Sequence, residues 1–314
     1  MVEKLDVKKT VGSILVELAK EDPKIVCVDA DLQRTTGTDE FQKLFPDRYY
    51  QVGIAEQNLL AFSAGIAAMG KTVFPATFAS FASQRACDQA LNAIAYNEFN
   101  VKIYATYSGL TCEKNGGTHI SVEDIAIFRC MPNMRVFAPG DCIEIQEIFS
   151  YAAKNDGPMY IRLPKGPLET FTPKNYRFEV GKSLKLREGS DIAIFTHGIT
   201  TWQVKVACDA LAGKGIQCKH VHMGSIKPID RDAIIDAALS TKLILVVEDH
   251  SVYGGMGSSI TEILSETFPT KVFRVGLNDV YGDTASLHYQ MKKHGLDSES
   301  IVQKVIQIMS NSKK

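Results

Sequence analysis

Short apolar runs rich in Val and Ile alternate with helical stretches along most of this chain. A helical pattern over residues 7–19 leads to an apolar run at residues 25–29, and a second over residues 56–69 leads to a run at residues 71–74. Runs that are apolar along their whole length and separated by helices are typical of a parallel sheet covered on both faces. This alternation predicts an α/β fold.

The alternation pauses once, in a stretch rich in proline and charged residues that indicates a linker with one short strand. It then restarts and continues to a final helix over residues 298–309. The 314 residues also suffice for two domains at about 150 residues each. We therefore predict two consecutive three-layer α/β domains, at residues 1–168 and 190–314, joined by a linker at residues 169–189. The first should have a mostly parallel sheet.

The charges nearly cancel, since 35 Lys and Arg face 36 Asp and Glu for a net charge of −1. This balance excludes a module that binds nucleic acid through bulk positive charge. Seven scattered cysteines without a Cys-x-x-Cys pair are typical of a reduced, cytoplasmic protein. No apolar stretch is long enough to cross a membrane, and no apolar signal segment follows the charged first residues. We expect a cytoplasmic protein with neither a nucleic acid nor a membrane as its partner.

A carboxylate stands at the start of an otherwise apolar helix. Glu56 falls in the first turn of a segment rich in Ala and Gly. In open parallel sheets, ligands bind where strands end and helices begin. Two interpretations are open at this point. Glu56 is either stabilised by the helix dipole alone, or it is a semi-buried carboxylate that shares a proton with a ligand nitrogen.

Two aromatic side chains and an amide follow at a spacing of three residues. If this segment is helical, Phe78, Phe81 and Gln84 project from nearly one face. The spacing fits an aromatic pair in the core, and it equally fits an aromatic surface on which a flat heterocycle stacks.

Two further segments carry candidate polar groups. The loop over residues 107–120 contains two glycines before Thr118 and His119, which indicates a close turn beside a ligand or a tight turn with a solvent histidine. Arg162 and Lys165 end a strand as two nearby cations. They would contact a phosphate or lie exposed at a domain edge.

Together these segments closely resemble the C-terminal half of transketolase, including the bacterial split form in which two genes encode one enzyme. The similarity covers essentially the whole chain. The matching segments are Gly53-Ile-Ala-Glu56-Gln, Thr77-Phe78 with Phe81, Gly117-Thr118-His119, Gly140-Asp141, Ile226-Lys227-Pro228, Glu248-Asp249-His250 and Gly254-Gly255. The chain also resembles the corresponding half of deoxyxylulose-phosphate synthase and, more distantly, the β subunit of 2-oxoacid dehydrogenases. All of these enzymes use thiamine diphosphate.

The resemblance implies a pyrimidine-binding first domain, a transketolase C-terminal second domain, and roles for particular residues. A glutamate at the position of Glu56 hydrogen-bonds N1′ of the cofactor's aminopyrimidine and so helps to activate the thiazolium carbon. Phe81 matches the residue that stacks on the pyrimidine, with Phe78 beside it and Gln84 in the same cofactor-binding set. His119 matches a histidine that contacts a sugar-phosphate substrate, so Glu56 and His119 are the expected catalytic residues.

The expected substrate contacts differ from those of full-length transketolases. Those enzymes usually carry histidine and aspartate where this chain has Tyr107 and Asn115, and tyrosine where it has Gln84. Arg162 and Lys165 fall where the family holds a phosphate-binding arginine, and the choice between the two is open. These differences concern the identity of the substrate more than that of the cofactor.

The metal-binding part of thiamine-diphosphate enzymes has no counterpart in this sequence. Those enzymes hold Mg²⁺ and the diphosphate with Gly-Asp-Gly followed by Asn, and this chain contains no Gly-Asp-Gly. The resemblance therefore implies that this chain contributes no metal ligand. A separate N-terminal subunit would hold Mg²⁺ and the diphosphate, in an α2β2 heterotetramer where copies of this chain also pair with each other.

We accordingly predict the C-terminal subunit of a transketolase, which moves a two-carbon ketol unit from a ketose phosphate to an aldose phosphate. One alternative is a β-type subunit of another thiamine-diphosphate enzyme. It would be similar to deoxyxylulose-phosphate synthase, which the Gln84-Arg85 pair and the spacing of Arg162 and Lys165 favour, or to a 2-oxoacid dehydrogenase. Another alternative is a non-catalytic member of the family.

Overall fold

Two mainly parallel sheets, one from each half of the chain, form the centre of the protein. The computed structural model describes residues 3–241 and 243–312. The strands of the first half are β1 (Lys4–Asp6), β2 (Ile25–Asp29), β3 (Tyr49–Gln51), β4 (Thr72–Phe78), β5 (Lys102–Thr106), β6 (Arg135–Phe137), β7 (Met159–Arg162) and β8 (Pro167–Glu169). The strands of the second half are β9 (Leu184–Arg187), β10 (Ile192–Thr196), β11 (Cys218–His222), β12 (Ser225–Lys227), β13 (Leu243–Ser251) and β14 (Lys271–Leu277).

Helices connect most of these strands. They are α1 (Val7–Glu21), α2 (Gln33–Thr36), α3 (Thr38–Leu44), α4 (Glu56–Ala68), α5 (Asp124–Cys130), α6 (Cys142–Lys154), α7 (Thr200–Ala212), α8 (Arg231–Thr241), α9 (Met256–Glu266), α10 (Leu287–Lys293) and α11 (Ser298–Ser312). Aspartates define the start of α1 and α6, because the carboxylates of Asp6 and Asp141 accept hydrogen bonds from the first free N–H groups of each helix.

The first sheet has the order β12-β6-β7-β5-β4-β2-β3. Every pairing among β2 to β7 is parallel, and only the edge strand β12, which comes from the second half, is antiparallel. Successive residues of β2 are buried on opposite faces, with Ile25 and Cys27 in one apolar cluster and Val26 and Val28 in another. The continuous apolar run therefore reflects a strand that is covered on both sides.

The second sheet has the order β14-β13-β10-β11-β9, and only β9 is antiparallel. The stretch between the two alternating patterns thus contains two short strands, β8 and β9, where the sequence pattern indicated one. Strand β9 alternates Leu with Lys and Arg, which suits an edge strand with one exposed face. The predicted α/β class with two consecutive units is confirmed. The exact boundaries of the domains stay a prediction, and the outermost positions of both domains lie outside the described residues.

The two units share one apolar cluster, which contains Val26 and Ile103 from the first sheet and Phe195 and Ile244 from the second. Among the described residues, no helix combines the length and the apolar character needed to cross a membrane.

Candidate active site

Glu56 is the first residue of α4, and its carboxylate is buried, with 1% of the residue exposed. The loop after β3 turns into the helix through Gly53, whose φ of +74° favours glycine. Because Leu59, Leu60 and the small residues behind them pack inward, α4 holds Glu56 at the edge where the parallel strands end. Arg85 Nη1 donates to Glu56 Oε2 at 2.8 Å.

Three aromatic rings stand side by side next to this carboxylate. The ring centroids of Phe78 and Phe81 are 5.6 Å apart, and those of Phe78 and Tyr107 are 4.3 Å apart, both in stacked orientations. Phe78 is the last residue of β4, and Phe81 begins a π-helical segment, Phe81–Arg85. The segment is therefore not one continuous α-helix, and the condition for a shared helical face is not met. A strand end and a wide helical turn bring the two phenylalanine rings together instead.

The loop after β5 brings His119 to the edge of Phe81. Their ring centroids are 5.2 Å apart at an interplanar angle of 68°. Gly116, with a φ of +85°, turns the chain back, and the His119 N–H donates to its carbonyl at 3.0 Å. Burial raises the pKa of Tyr107, which leads into this loop. Asn115 lies in the same loop with its side chain exposed.

These elements enclose a pocket of about 380 Å³ at the carboxyl edge of the first sheet. Its lining contains four of the residues that the sequence singled out, namely Glu56, Phe78, Phe81 and His119. It also contains residues that were not assigned to the site, among them Ala30, Asp31, Leu32, Ile54, Arg85 and Thr118. Asp31 could have been found from its place just after β2, since ligand contacts gather where parallel strands end.

Gln84 does not line this pocket. Its amide donates to the carboxylate of Glu123 in the exposed part of the neighbouring loop. A role for Gln84 in cofactor binding, and roles for Tyr107 and Asn115 in substrate binding, therefore stay predictions.

Arg162 and Lys165 have different surroundings. Arg162 is 2% exposed, and its guanidinium donates to Asp124 Oδ2 and to Asp249 Oδ1, both at 2.9 Å. Burial opposes its charge, but the two aspartates raise the pKa of Arg162 above its usual value. Lys165 is partly exposed, with Nζ 3.0 Å from Glu113 Oε2 and 5.2 Å from the centre of the Tyr107 ring. Of these two residues, Lys165 is therefore the one whose cation is accessible to solvent or a substrate.

The chemistry of this pocket fits one half of thiamine diphosphate. A buried carboxylate can hold the proton of a ring nitrogen, and the adjacent phenyl ring can support a flat heterocycle. In the part of the chain that the structure describes, no group of three or more His, Cys, Asp or Glu side chains is arranged to hold a metal ion. The buried carboxylate beside an aromatic face therefore suits the aminopyrimidine of the cofactor.

Residues 3–170 match the transketolase pyrimidine-binding domain, and residues 181–301 match the transketolase C-terminal domain. The chain is 38% identical to the 6-deoxy-6-sulfo-D-fructose transketolase subunit of Clostridium sp., over 94% of this chain and 92% of that protein. It is 36% identical to an apulose-4-phosphate transketolase subunit of Actinobacillus succinogenes, over 91% of this chain and 93% of that protein. The solved structure of a split-gene transketolase, described as an inactive β4 tetramer, has 40% identity and a TM-score of 0.91, and the match covers 98% of this chain and 99% of that one.

Proposed function

Since the chain belongs to the transketolase family, we propose that it is the C-terminal subunit of a split, thiamine-diphosphate-dependent transketolase. The observation that carries this proposal is the buried Glu56 carboxylate beside an aromatic wall in an open pocket. When bound, thiamine diphosphate supplies the nucleophilic carbon that carries a two-carbon ketol unit between sugar phosphates.

Glu56 holds a proton at N1′ of the aminopyrimidine. Its position in a buried helix start keeps bulk water away from this proton, and the apolar residues behind it hold the carboxylate in one place. Phe81 supports the flat face of the pyrimidine, and Phe78, which also lines the pocket, holds the ring of Phe81 by stacking against it.

His119 orients the sugar substrate. Its ring lies beside Phe81, and its Nδ1 is 3.0 Å from the hydroxyl of Thr118, which orders the imidazole at the pocket wall. Lys165 is the phosphate contact in this proposal, because its ammonium group is accessible, whereas all the contacts of Arg162 are buried.

A second polypeptide completes the site. We propose an N-terminal transketolase subunit that brings Mg²⁺ and the diphosphate-binding residues, in an α2β2 complex. The relatives described as transketolase subunits support this proposal, and so does a β4 tetramer that is described as inactive. All seven cysteines are free, which supports a location in the reducing cytoplasm.

The direct test is reconstitution. This chain is mixed with an N-terminal-type subunit that contains Gly-Asp-Gly, and ketol transfer is assayed with a panel of ketose and aldose phosphates. The proposal expects transfer by the mixture and none by either chain alone. Native mass spectrometry without any association of the two chains would contradict it.

A second candidate reaction is that of a deoxyxylulose-phosphate synthase-like enzyme. It is favoured by the resemblance of the Gln84-Arg85 pair and of the spacing of Arg162 and Lys165 to that family, and Arg85 lines the pocket at Glu56. Pyruvate with an aldose phosphate separates this candidate from ketol transfer, because pyruvate loses carbon dioxide in this reaction and takes no part in ketol transfer between sugar phosphates. Pyruvate with a lipoyl-carrying protein tests the 2-oxoacid dehydrogenase alternative, and a complex that is inactive with every substrate would favour a non-catalytic role.

A further inference from the structure

Arg85 occupies the two contacts that the pocket offers to an aminopyrimidine. Its Nη1 donates to Glu56 Oε2 at 2.8 Å, and its guanidinium carbon lies 4.7 Å from the centre of the Phe81 ring. The Phe81 ring also contacts the stacked ring of Phe78 and the edge of His119. A flat ligand that stacks on Phe81 and bonds Glu56 therefore competes with Arg85 for both contacts.

The guanidinium group is a good chemical substitute for this ligand. It is planar, it presents N–H donors to a carboxylate, and it stacks on aromatic faces. A buried carboxylate without a partner is costly, so the free chain gains stability from a side chain that neutralises Glu56. Arg85 provides that partner from the π-helical segment next to Phe81.

Arg85 is also able to leave. Half of its side chain is exposed, at 51%, and among the described residues its side chain makes one ion pair and one ring contact. Arg162, in contrast, is held by three hydrogen bonds in a fully buried cluster. The arginine at the pocket is thus held weakly enough to be exchanged for a ligand.

We propose that Arg85 is a built-in plug of the pyrimidine site, which takes the place of the aminopyrimidine in the free chain and moves into solvent when the ring enters. This inference rests on the proposed function of the pocket. It predicts that Arg85 lowers the apparent affinity of the pocket for the ring, because only the fraction of molecules in which Arg85 has left the pocket binds the ring.

The test uses the full chain and the free hydroxymethyl-aminopyrimidine part of thiamine as the probe, with binding followed by NMR titration. Arg85→Ala should bind the probe about 3- to 10-fold more tightly than the parent chain, as expected for the loss of a half-exposed ion pair and a ring contact. Arg177→Ala is the matched control, because Arg177 forms an exposed ion pair with Glu147 away from the pocket. Its affinity should equal that of the parent.

Chemical rescue separates a plug from a structural arginine. Ethylguanidinium added to Arg85→Ala should compete with the probe and restore the weaker binding, whereas it should have little effect on the parent chain. If Arg85→Ala is poorly folded in a thermal melt, Arg85→Gln replaces it, since glutamine keeps a donor but loses the charge.

Each outcome has a distinct meaning. Equal or weaker binding by Arg85→Ala overturns the plug and leaves the pocket as a pyrimidine site. Binding of the probe by none of the variants overturns both the plug and the pyrimidine site. Ketol transfer by the reconstituted complex is measured separately, so that failure of the plug is not confused with failure of the proposed reaction.

Discussion

Two glutamates, one in each unit of this protein, place a buried carboxylate at the start of a helix, and both are 1% exposed. Glu56 begins α4 and faces a pocket. Glu248, near the end of β13, accepts hydrogen bonds from the N–H groups of Met256 at 2.9 Å and Gly257 at 3.0 Å, at the start of α9. A Cβ at Gly255 would overlap with its carboxylate, so no space is left beside it.

A buried carboxylate at a helix start is therefore not by itself a ligand site. In the second unit, Glu248 itself accepts the hydrogen bonds of the free N–H groups at the start of α9, so these groups are not available to a ligand. Burial raises the pKa of Glu248, but the imidazole of His197 and the N–H of Gly257 lower it by more, so this carboxylate stays charged and structural. In the first unit an adjoining cavity and an exchangeable partner, Arg85, leave room for a ligand.

The largest effect is expected for Glu56→Gln in the reconstituted enzyme. Turnover should fall by about 10³-fold, or about 4 kcal/mol in the barrier, because the amide cannot exchange a proton with the pyrimidine nitrogen. The fold should be retained, since glutamine has nearly the same shape. Glu248→Gln is the matched control, which should lower stability while turnover per folded molecule stays within about twofold of the parent. Near-normal turnover of Glu56→Gln would show that Glu56, like Glu248, has only a structural role.

The next effect concerns the arginine that joins the two units. Arg162→Leu should lower the free energy of unfolding by about 3 kcal/mol or more, because Asp124 and Asp249 are then buried without their shared cation. Denaturant unfolding measures this change, with the exposed Arg177→Ala as a control that should alter it by less than about 0.5 kcal/mol. A loss as small as that of the control would mean that the interdomain cluster is not structural.

Acid should weaken the second unit more than the first. Burial lowers the pKa of His197 below its usual value of 6.5 and, with nearby His222 and Arg187, lowers that of His220 to about 3. Below pH 6.5 the unfolded chain binds protons that the folded chain does not, so stability decreases as the pH falls.

As the pH falls below 6.5, His197 and His220 should each lower the free energy of unfolding by up to about 1.4 kcal/mol per pH unit. Unfolding curves at about pH 7.5 and about pH 5.5 measure the slope. His220→Gln should reduce it, because glutamine keeps a polar group near Thr196 without titrating. An unchanged slope in this variant would show that the acid sensitivity comes from elsewhere.

The smallest effect is expected for Lys165, which lies beside Tyr107 at one end of the series of three aromatic rings. Lys165→Met should raise KM for a sugar phosphate about tenfold and leave kcat nearly unchanged, because a phosphate contact remote from the reacting carbon contributes equally to substrate and transition state. A substrate without phosphate should be unaffected. Lys293→Met, which removes an exposed lysine paired with Asp283, is the control. An equal KM for both variants would argue against a phosphate contact.

Much of this architecture could be predicted from the sequence. The alternation of apolar runs and helices predicts the α/β class, and the order of the motifs predicts the transketolase family. Both are confirmed. The meeting of Glu56, Phe78, Phe81 and His119 in one pocket follows from a general rule, because each lies at the end of a parallel strand or in the segment that follows one, and such ends share one edge of the sheet.

Other features depend on contacts that local patterns do not contain. Arg162 bonds Asp249, which is 87 positions away, and β12 crosses from the second half of the chain to the edge of the first sheet. Arg85 reaches Glu56 because the segment Phe81–Arg85 winds as a π-helix, which is wider than an α-helix. No residue pattern in the sequence predicts this π-helical turn. Packing between distant segments determines these positions.

The central claim is that this chain supplies the pyrimidine half of a cofactor site and needs a second subunit for the rest. Calorimetric titration with thiamine diphosphate and Mg²⁺ tests it most directly, first with this chain alone and then with the reconstituted complex. We expect at most weak binding by the lone chain, through the pyrimidine half alone, and tight, saturable binding by the complex. Tight binding by the lone chain would contradict it, because a complete diphosphate site would then lie within this polypeptide.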